Sequence, residues 1–153
     1  MAIEAPISKF TKTNLQIYIV LCLAVAAWFA YDGYINKVFI AKNTDADGTP
    51  NSTLIFNKKS PPFFAAAAVF FGVYLFVVKK RKLIADENEL VFSAKEKIPY
   101  DSIQAINKTF FEKKGFFVIT HKDEHGKEIN RKISDRKYDN LAAILDHLVA
   151  KIS

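Results

Sequence analysis

The stretch from Pro61 to Lys82 constrains this chain more than any other part of the sequence. It reads PPFFAAAAVFFGVYLFVVKKRK: two prolines, no charged residue over Phe63–Val78, then four consecutive cations. A helix rises about 1.5 Å per residue, so this segment approaches the roughly 30 Å hydrocarbon core of a bilayer. Proline suits the start of a helix, where a missing N–H leaves no bond unmade. We therefore predict a membrane-spanning helix with a basic stop over residues 61–82. A buried core helix is the alternative, which the small size of the remaining chain disfavours.

A second apolar run, Leu15–Tyr31, precedes it and predicts a first membrane-spanning helix. Trp28 and Tyr31 near its end suit a membrane interface, where amphipathic rings are favoured. A cleaved signal peptide is the competing interpretation, because Ala24-Val25-Ala26 fits a cleavage site. The apolar run continues beyond that point, which favours the membrane helix.

The distribution of charge predicts an orientation. The net charge is +6, and much of the excess lies beside the predicted spans, so an anionic lipid surface explains it better than nucleic acid does. The cluster Lys79–Lys82 closely follows the second span, although the loop between the spans also carries lysines. The positive-inside rule then predicts a two-pass protein, with a cytoplasmic arm over residues 1–14 and a periplasmic or lumenal loop over residues 32–60. Both termini are predicted to be cytoplasmic, with the bacterial inner membrane as the favoured location.

The loop over residues 32–60 is rich in turn-forming residues, and two short pieces, Ile35–Ala41 and Leu54–Phe56, are candidates for ordered structure. Asn51-Ser52-Thr53 matches an N-glycosylation acceptor, which is relevant only in a lumenal loop of a eukaryote. A loop of this length suggests a docking surface.

Residues 83–153 have a different pattern, in which short β-type runs alternate with turn signals and an amphipathic helix follows. The helix is predicted over Tyr138–Ile152, with Ser134 or Asp135 as a candidate cap. The predicted strand segments are Leu83–Ala85, Glu89–Ser93, Ile98–Tyr100 leading into Ser102–Lys108, Gly115–His121 and Lys127–Ile133. The expected fold class is α+β: a two-helix membrane hairpin followed by a bent β-sheet or sandwich, capped by a C-terminal helix.

This outline resembles the bacterial PH-like domains of small membrane proteins. The residues that carry the resemblance are Leu83-Ile84-Ala85-Asp86 with Glu89-Leu90, then Lys97-Ile98-Pro99-Tyr100-Asp101-Ser102-Ile103. The resemblance covers Leu83–Ser153 and implies a PH-like domain after one or two membrane helices. It implies no particular ligand, because a fold does not fix a function.

Three groups of residues are candidate contact sites. Clustered cations are candidates for anionic-lipid contact, and small residues in the second span are candidates for helix packing. Two pairs of phenylalanines are candidates for partner contact, because strand alternation should leave one ring of each pair outside the core. The lipid candidates are Lys79, Lys80, Arg81, Lys82, Lys113 and Lys114. The helix-packing candidates are Ala65, Ala66, Ala67, Ala68 and Gly72, and the partner candidates are Phe110, Phe111, Phe116 and Phe117.

No catalytic or metal site is predicted, and no cofactor. His121 and His125 are metal-ligand residue types, but their spacing is that of a solvated hairpin tip rather than one helical face. No glycine-rich elbow or phosphate loop accompanies the serines and histidines. We therefore expect a non-catalytic accessory or scaffold subunit of a membrane complex, with other membrane-protein subunits and membrane lipid as partners and no nucleic acid. The alternatives are an anionic-lipid-binding module and an enzyme or metal protein centred on His121 and His125.

Overall fold

The computed structural model describes residues 2–153, and the chain divides into two compact units. The sheet domain combines the chain up to Lys12 with Val77–Ser153, and the helical unit comprises Thr13–Phe76. The predicted α+β class is confirmed, with two long apolar helices and two antiparallel sheets.

The long helices are α1 (Lys9–Ala30), which continues into a π-helical turn over Tyr31–Ile35, and α4 (Pro61–Lys79). With the preceding α3 (Ser52–Lys59), they give two segments, Lys9–Ile35 and Ser52–Lys79, of 27 and 28 residues. Both are long and apolar enough to cross a membrane by length and composition. At 1.5 Å per residue each spans about 40 Å.

Aromatic side chains join the two long helices within the helical unit. The ring centroids of Tyr18 and Phe71 lie 5.6 Å apart, and those of Phe29 and Phe64 also lie 5.6 Å apart. Early residues of α1 thus meet late residues of α4, as in an antiparallel hairpin. Large apolar side chains on the other faces remain exposed, such as Phe63 at 75% and Val69 at 66%.

The segment between the long helices is more ordered than its turn-rich sequence indicates. It contains α2 (Lys37–Lys42) as well as α3, and the predicted pieces Ile35–Ala41 and Leu54–Phe56 fall largely within these helical stretches. Gly33 packs against the backbone of Asn57 so closely that a Cβ at Gly33 would lie 2.9 Å from the Asn57 carbonyl oxygen. Only glycine allows this approach without displacement.

Within residues 2–153, the sheet domain contains seven strands in two sheets. A four-stranded sheet has the order β1-β2-β3-β4, and a three-stranded sheet has the order β5-β6-β7. The strands are β1 (Ile3–Pro6), β2 (Lys82–Ala85), β3 (Glu89–Ser93), β4 (Glu96–Pro99), β5 (Ile103–Asn107), β6 (Phe116–Lys122) and β7 (Glu128–Ser134). The six strands after residue 81 confirm the predicted strand segments within one or two residues at most ends.

The first strand was not predicted, since residues 1–14 were interpreted as a polar arm. Ile3–Pro6 pairs antiparallel with β2, with Ile3 opposite Ala85 and Pro6 opposite Lys82. Proline is tolerated there because β1 is an edge strand. Ala5 and Ile7 are 0% and 2% exposed and belong to the domain core. The residues before the first long helix therefore form part of the sheet domain, most of which follows the second long helix.

The C-terminal helix α6 (Leu141–Ile152) covers this core with Leu141, Ile144, Leu145 and Leu148, as its periodicity predicts. It begins three residues later than predicted, after Asn140, which has a positive φ of 60°. The suggested cap at Ser134 or Asp135 was therefore wrong: both precede the helix, and Tyr138 is buried in a bridge to Ile7.

Candidate functional site

The most distinctive surface of the sheet domain is a groove of about 780 Å³, which we call the basic groove. One wall is the single helical turn α5 (Phe111–Lys114) with Gly115, and the other is the end of β7 with the turn that follows it. Phe10, in the first turn of α1, also lines it. The charged residues along it are Lys113, Lys114, Lys132, Arg136, Glu112 and Asp135.

A close backbone approach joins the two walls. Gly115 ends α5 in the left-handed conformation with φ 66°, and a Cβ there would lie 1.9 Å from Oδ2 of Asp135. The Asp135 N–H donates to the Gly115 carbonyl at 2.8 Å. The turn carrying Lys113 and Lys114 is therefore held beside the turn carrying Arg136. Lys113 and Lys114, which the sequence offered as candidates for lipid contact, thus lie in a single helical turn that Gly115 ends.

The start of α1 is bonded to the same region. The Ser8 hydroxyl donates to the Arg136 carbonyl, and the Thr11 hydroxyl donates to the same oxygen at 2.6 Å. The Ser8 oxygen also accepts from the Thr11 N–H at 3.1 Å, which satisfies one of the free donors at the helix N-terminus. These bonds bring Phe10 to the groove.

Three cations of the groove and its rim lie over aromatic rings. Lys114 Nζ is 5.1 Å from the centroid of Phe110, and Lys132 Nζ is 3.9 Å from that of Phe116. The Arg136 guanidinium is 5.9 Å from the centroid of Phe10. Within residues 2–153, these three cations have no carboxylate partner within 4 Å; the ion pairs are Lys82–Glu4, Lys97–Glu89 and Arg131–Glu96. Their charges therefore remain available to a ligand.

One ring of each phenylalanine pair packs towards the core, but only Phe116 and Phe117 lie in a strand, while Phe110 and Phe111 lie at the start of α5. Phe117 is fully buried, and Phe111 packs edge-on against it at 5.8 Å. Phe110 is 41% exposed and stacks on the partly buried Phe116 at 5.4 Å. The outer aromatic surface is thus this stacked pair, which lies beside Lys114 and Lys132.

The predicted basic stop is separate from the basic groove: Lys79 ends α4, and Lys82 lies in β2 and pairs with Glu4. The Arg81 carbonyl accepts from the Ile7 N–H at 3.3 Å. Over the described residues, the groove lining includes none of the cations Lys79, Lys80, Arg81 and Lys82.

The predicted small-residue face is divided between two sides of α4. Ala68 is 5% exposed, while Ala65 and Ala66 are exposed. Ala67 and Gly72 are intermediate. If a Cβ were added at Gly72, no atom of residues 2–153 would lie within 4 Å of it, apart from the neighbouring residues and the backbone of the same helix. The packing of α1 and α4 therefore does not require a glycine at this position.

A second groove, of about 830 Å³, lies elsewhere on the sheet domain and was not predicted. It is lined mainly by acidic residues around Tyr100, whose hydroxyl donates to the Asp86 carbonyl at 2.7 Å. Burial, with the nearby carboxylates of Asp86 and Glu89, raises the pKa of Tyr100 to about 12. His147 also approaches the Asp86 carbonyl, at 3.1 Å. Tyr100 also packs against the hydrophobic core of the domain.

The other residues considered from the sequence occupy structural positions. His121 lies in β6 and His125 in the turn after it, and residues 2–153 contain no group of three or more metal-ligating side chains suited to a metal ion. Asn51 caps α3 by accepting from the Leu54 N–H at 3.0 Å. Its side-chain nitrogen, the atom that a glycan would modify, also donates to Asn43 at 3.3 Å.

Of the groove residues, sequence reasoning found Lys113, Lys114, Phe111 and Phe116 but missed Phe10, Lys132 and Arg136. A partial signal for Lys132 was available, because it falls in the predicted strand segment Lys127–Ile133 that follows Gly115–His121. The pairing of Lys132 with Val118 comes from the structure. Phe10 carried no signal, since its contact depends on the unpredicted strand β1. Comparisons with protein-family models, with curated proteins and with solved structures find no match to this chain.

Proposed function

We propose that this chain is a non-catalytic two-pass membrane protein that acts as an accessory or scaffold subunit of a membrane-protein complex. The observation that carries the proposal is the exposure of large apolar side chains on both long helices, including Val20 at 65%, Phe63 at 75% and Phe70 at 66%. Surfaces of this kind are characteristic of contact with lipid or with another protein.

The pairing of β1 with β2 supports a topology with both termini on one side of the membrane. Ile3–Pro6 precedes the first long helix and Lys82–Ala85 follows the second, yet they are neighbours in one sheet. A chain that crosses the membrane twice between them satisfies this pairing, while a single crossing does not. The cations Lys79–Lys82 favour the cytoplasmic side for the sheet domain.

The order of the strands supports a PH-like domain. Antiparallel strands in two sheets are followed by one C-terminal helix, which agrees with the predicted outline of strands capped by a helix. Strand β1 supplies the first of the seven strands, so the two long helices occupy the connection between the first and second strands. The proposed PH-like domain therefore includes Ile3–Pro6 in addition to Leu83–Ser153, because β1 pairs with β2.

The topology is tested by cysteine labelling in intact cells. The only cysteine is Cys22, so Cys22→Ala gives a cysteine-free background. A membrane-impermeant maleimide should label Ala46→Cys, in the segment between the helices, without permeabilisation. It should label Ala94→Cys, in the sheet domain, only after permeabilisation. Labelling of both from outside, or the reverse pattern, contradicts the proposed topology.

The accessory role is tested by co-purification from native membranes. Gly72→Leu should release a partner subunit without unfolding the chain, because no part of the described chain fills the space at Gly72. Val73→Leu, which enlarges an already exposed neighbour, is the matched control and should retain the partner. Wild-type protein that purifies alone from native membranes refutes the accessory role.

The second candidate is an anionic-lipid-binding module at the membrane surface. The basic groove favours it, because it places exposed aromatic rings beside Lys132 and Arg136, which form no ion pair within residues 2–153. Cations beside an anionic leaflet each contribute on the order of 1 kcal/mol to membrane attraction.

A further inference from the structure

We propose that the basic groove binds the phosphate headgroup of an anionic lipid, with Lys132 and Arg136 on one wall and Lys113 and Lys114 on the other as the binding residues. This inference rests on the proposed membrane location. It goes beyond that location by assigning a specific ligand site to residues from two segments of the sheet domain, with Phe10 lining the same groove.

The charge of the groove is the first argument. Its lining carries four cations and two carboxylates, a net charge of +2. One of the carboxylates, Asp135, is packed against Gly115 by the close approach described above. A phosphate carries negative charge and several acceptor oxygens, so it can accept charge-assisted hydrogen bonds from more than one of these cations.

The state of the cations is the second argument. Lys132 and Arg136 lie over phenylalanine rings rather than beside carboxylates. A contact between an exposed cation and a ring is weaker than a charge-assisted hydrogen bond to a phosphate, so a ligand does not need to break an ion pair to enter. Such cations are held in place without being neutralised.

The aromatic residues favour a lipid over a free phosphate compound. Phe10 lines the groove and is 54% exposed, which provides an apolar surface that a small hydrophilic phosphate does not need. Phe10 also belongs to the first turn of α1, the helix that carries the apolar run from Leu15.

The test uses the full chain in detergent, titrated with phosphatidylglycerol or phosphatidylcholine and measured by native mass spectrometry. Wild-type protein should bind phosphatidylglycerol in preference to phosphatidylcholine. Lys132→Gln/Arg136→Gln should weaken phosphatidylglycerol binding roughly 25-fold, since two cations that contact the phosphate are lost and each contributes about 1 kcal/mol. Lys95→Gln/Lys127→Gln removes the same charge at exposed turns elsewhere on the domain and should bind like wild type.

Equal weakening in the groove and control variants overturns the site, because it indicates only a general charge effect. A second variant, Lys113→Gln/Lys114→Gln, removes the opposite wall. It should lose binding as well, and normal binding by this variant also overturns the proposal, even if the first variant unfolds. Displacement of the lipid by an equal concentration of glycerol 1-phosphate assigns the groove to soluble phosphates and overturns the lipid assignment.

These results are separable from the proposed accessory role. Binding is read from purified protein in detergent, so it does not depend on a partner subunit. A chain that is stripped from vesicles by carbonate refutes the membrane location, whereas a chain that stays embedded but ignores phosphatidylglycerol refutes only the groove.

Discussion

Ile7→Ala is expected to destabilise the sheet domain, although Ile7 precedes the first long helix and lies about 70 residues before the rest of that domain. Ile7 is 2% exposed and belongs to the same core cluster as Leu83 and Leu141. The substitution removes three carbon atoms, each contributing about 0.8 kcal/mol when buried. With the cavity that remains, we expect a loss of about 3 kcal/mol in the free energy of unfolding.

The measurement is thermal unfolding of the full chain in detergent, followed by near-UV circular dichroism, with hydrogen exchange to locate the change. A loss of about 3 kcal/mol should lower the Tm of a domain of this size by about 12 °C or more. Faster exchange should appear in Lys82–Ala85, which pairs with β1, and in α6.

Ile129→Ala is the matched control, because Ile129 lies in β7 of the same domain but is 39% exposed. It should change the free energy of unfolding by less than about 1 kcal/mol. If Ile7→Ala and Ile129→Ala have equal effects, or if exchange in β2 is unchanged, the N-terminal segment does not belong to the domain core and the reasoning fails.

Three further predictions concern backbone geometry and pH. Gly115→Ala should destabilise the sheet domain by about 1–3 kcal/mol in denaturant titrations, because alanine is strained at a left-handed φ and its Cβ would collide with the Asp135 side chain. Gly115→Ala/Asp135→Ala should recover part of that stability, and a double variant no more stable than Gly115→Ala contradicts the collision. Gly33→Ala should increase hydrogen exchange in Ser52–Lys59 because its Cβ meets the Asn57 carbonyl. Gly72→Ala, whose Cβ has open space and whose φ is not left-handed, should leave that exchange unchanged. The raised pKa of Tyr100 means that the folded state keeps a proton that the unfolded state releases above about pH 10, so stability should fall as pH rises from about 10 towards 12. Tyr100→Phe should make that decline shallower, and an identical decline in both proteins contradicts the contribution of Tyr100.

The sequence was sufficient for features that depend on local pattern. Uninterrupted apolarity determines the long helices, because no charged side chain interrupts Phe63–Val78. Alternation and turn residues determine β3 and β6, and helical periodicity determines the buried face of α6. In each case the residues that specify the element are neighbours in the chain.

The first strand could not be found in this way. Ile3–Pro6 has only four residues and ends in proline, so neither β-propensity nor alternation distinguishes it from an arm. It is a strand because the edge of β2 offers hydrogen-bonding groups and because Ala5 and Ile7 fill space in a core formed by residues after 77. The boundaries of α6 differed for the same reason, since the bridge between Tyr138 and Ile7 occupies its predicted first turn.

The candidate site shows the same division. Sequence alone identified Lys113, Lys114 and the phenylalanine pairs, because cations and aromatic residues adjoin one another there. Only the tertiary structure brought Phe10 and Arg136 to them, through the hydroxyls of Ser8 and Thr11 on the Arg136 carbonyl. Local composition thus determined which elements form, while hydrogen bonds and burial between distant segments decided which of their side chains share a surface.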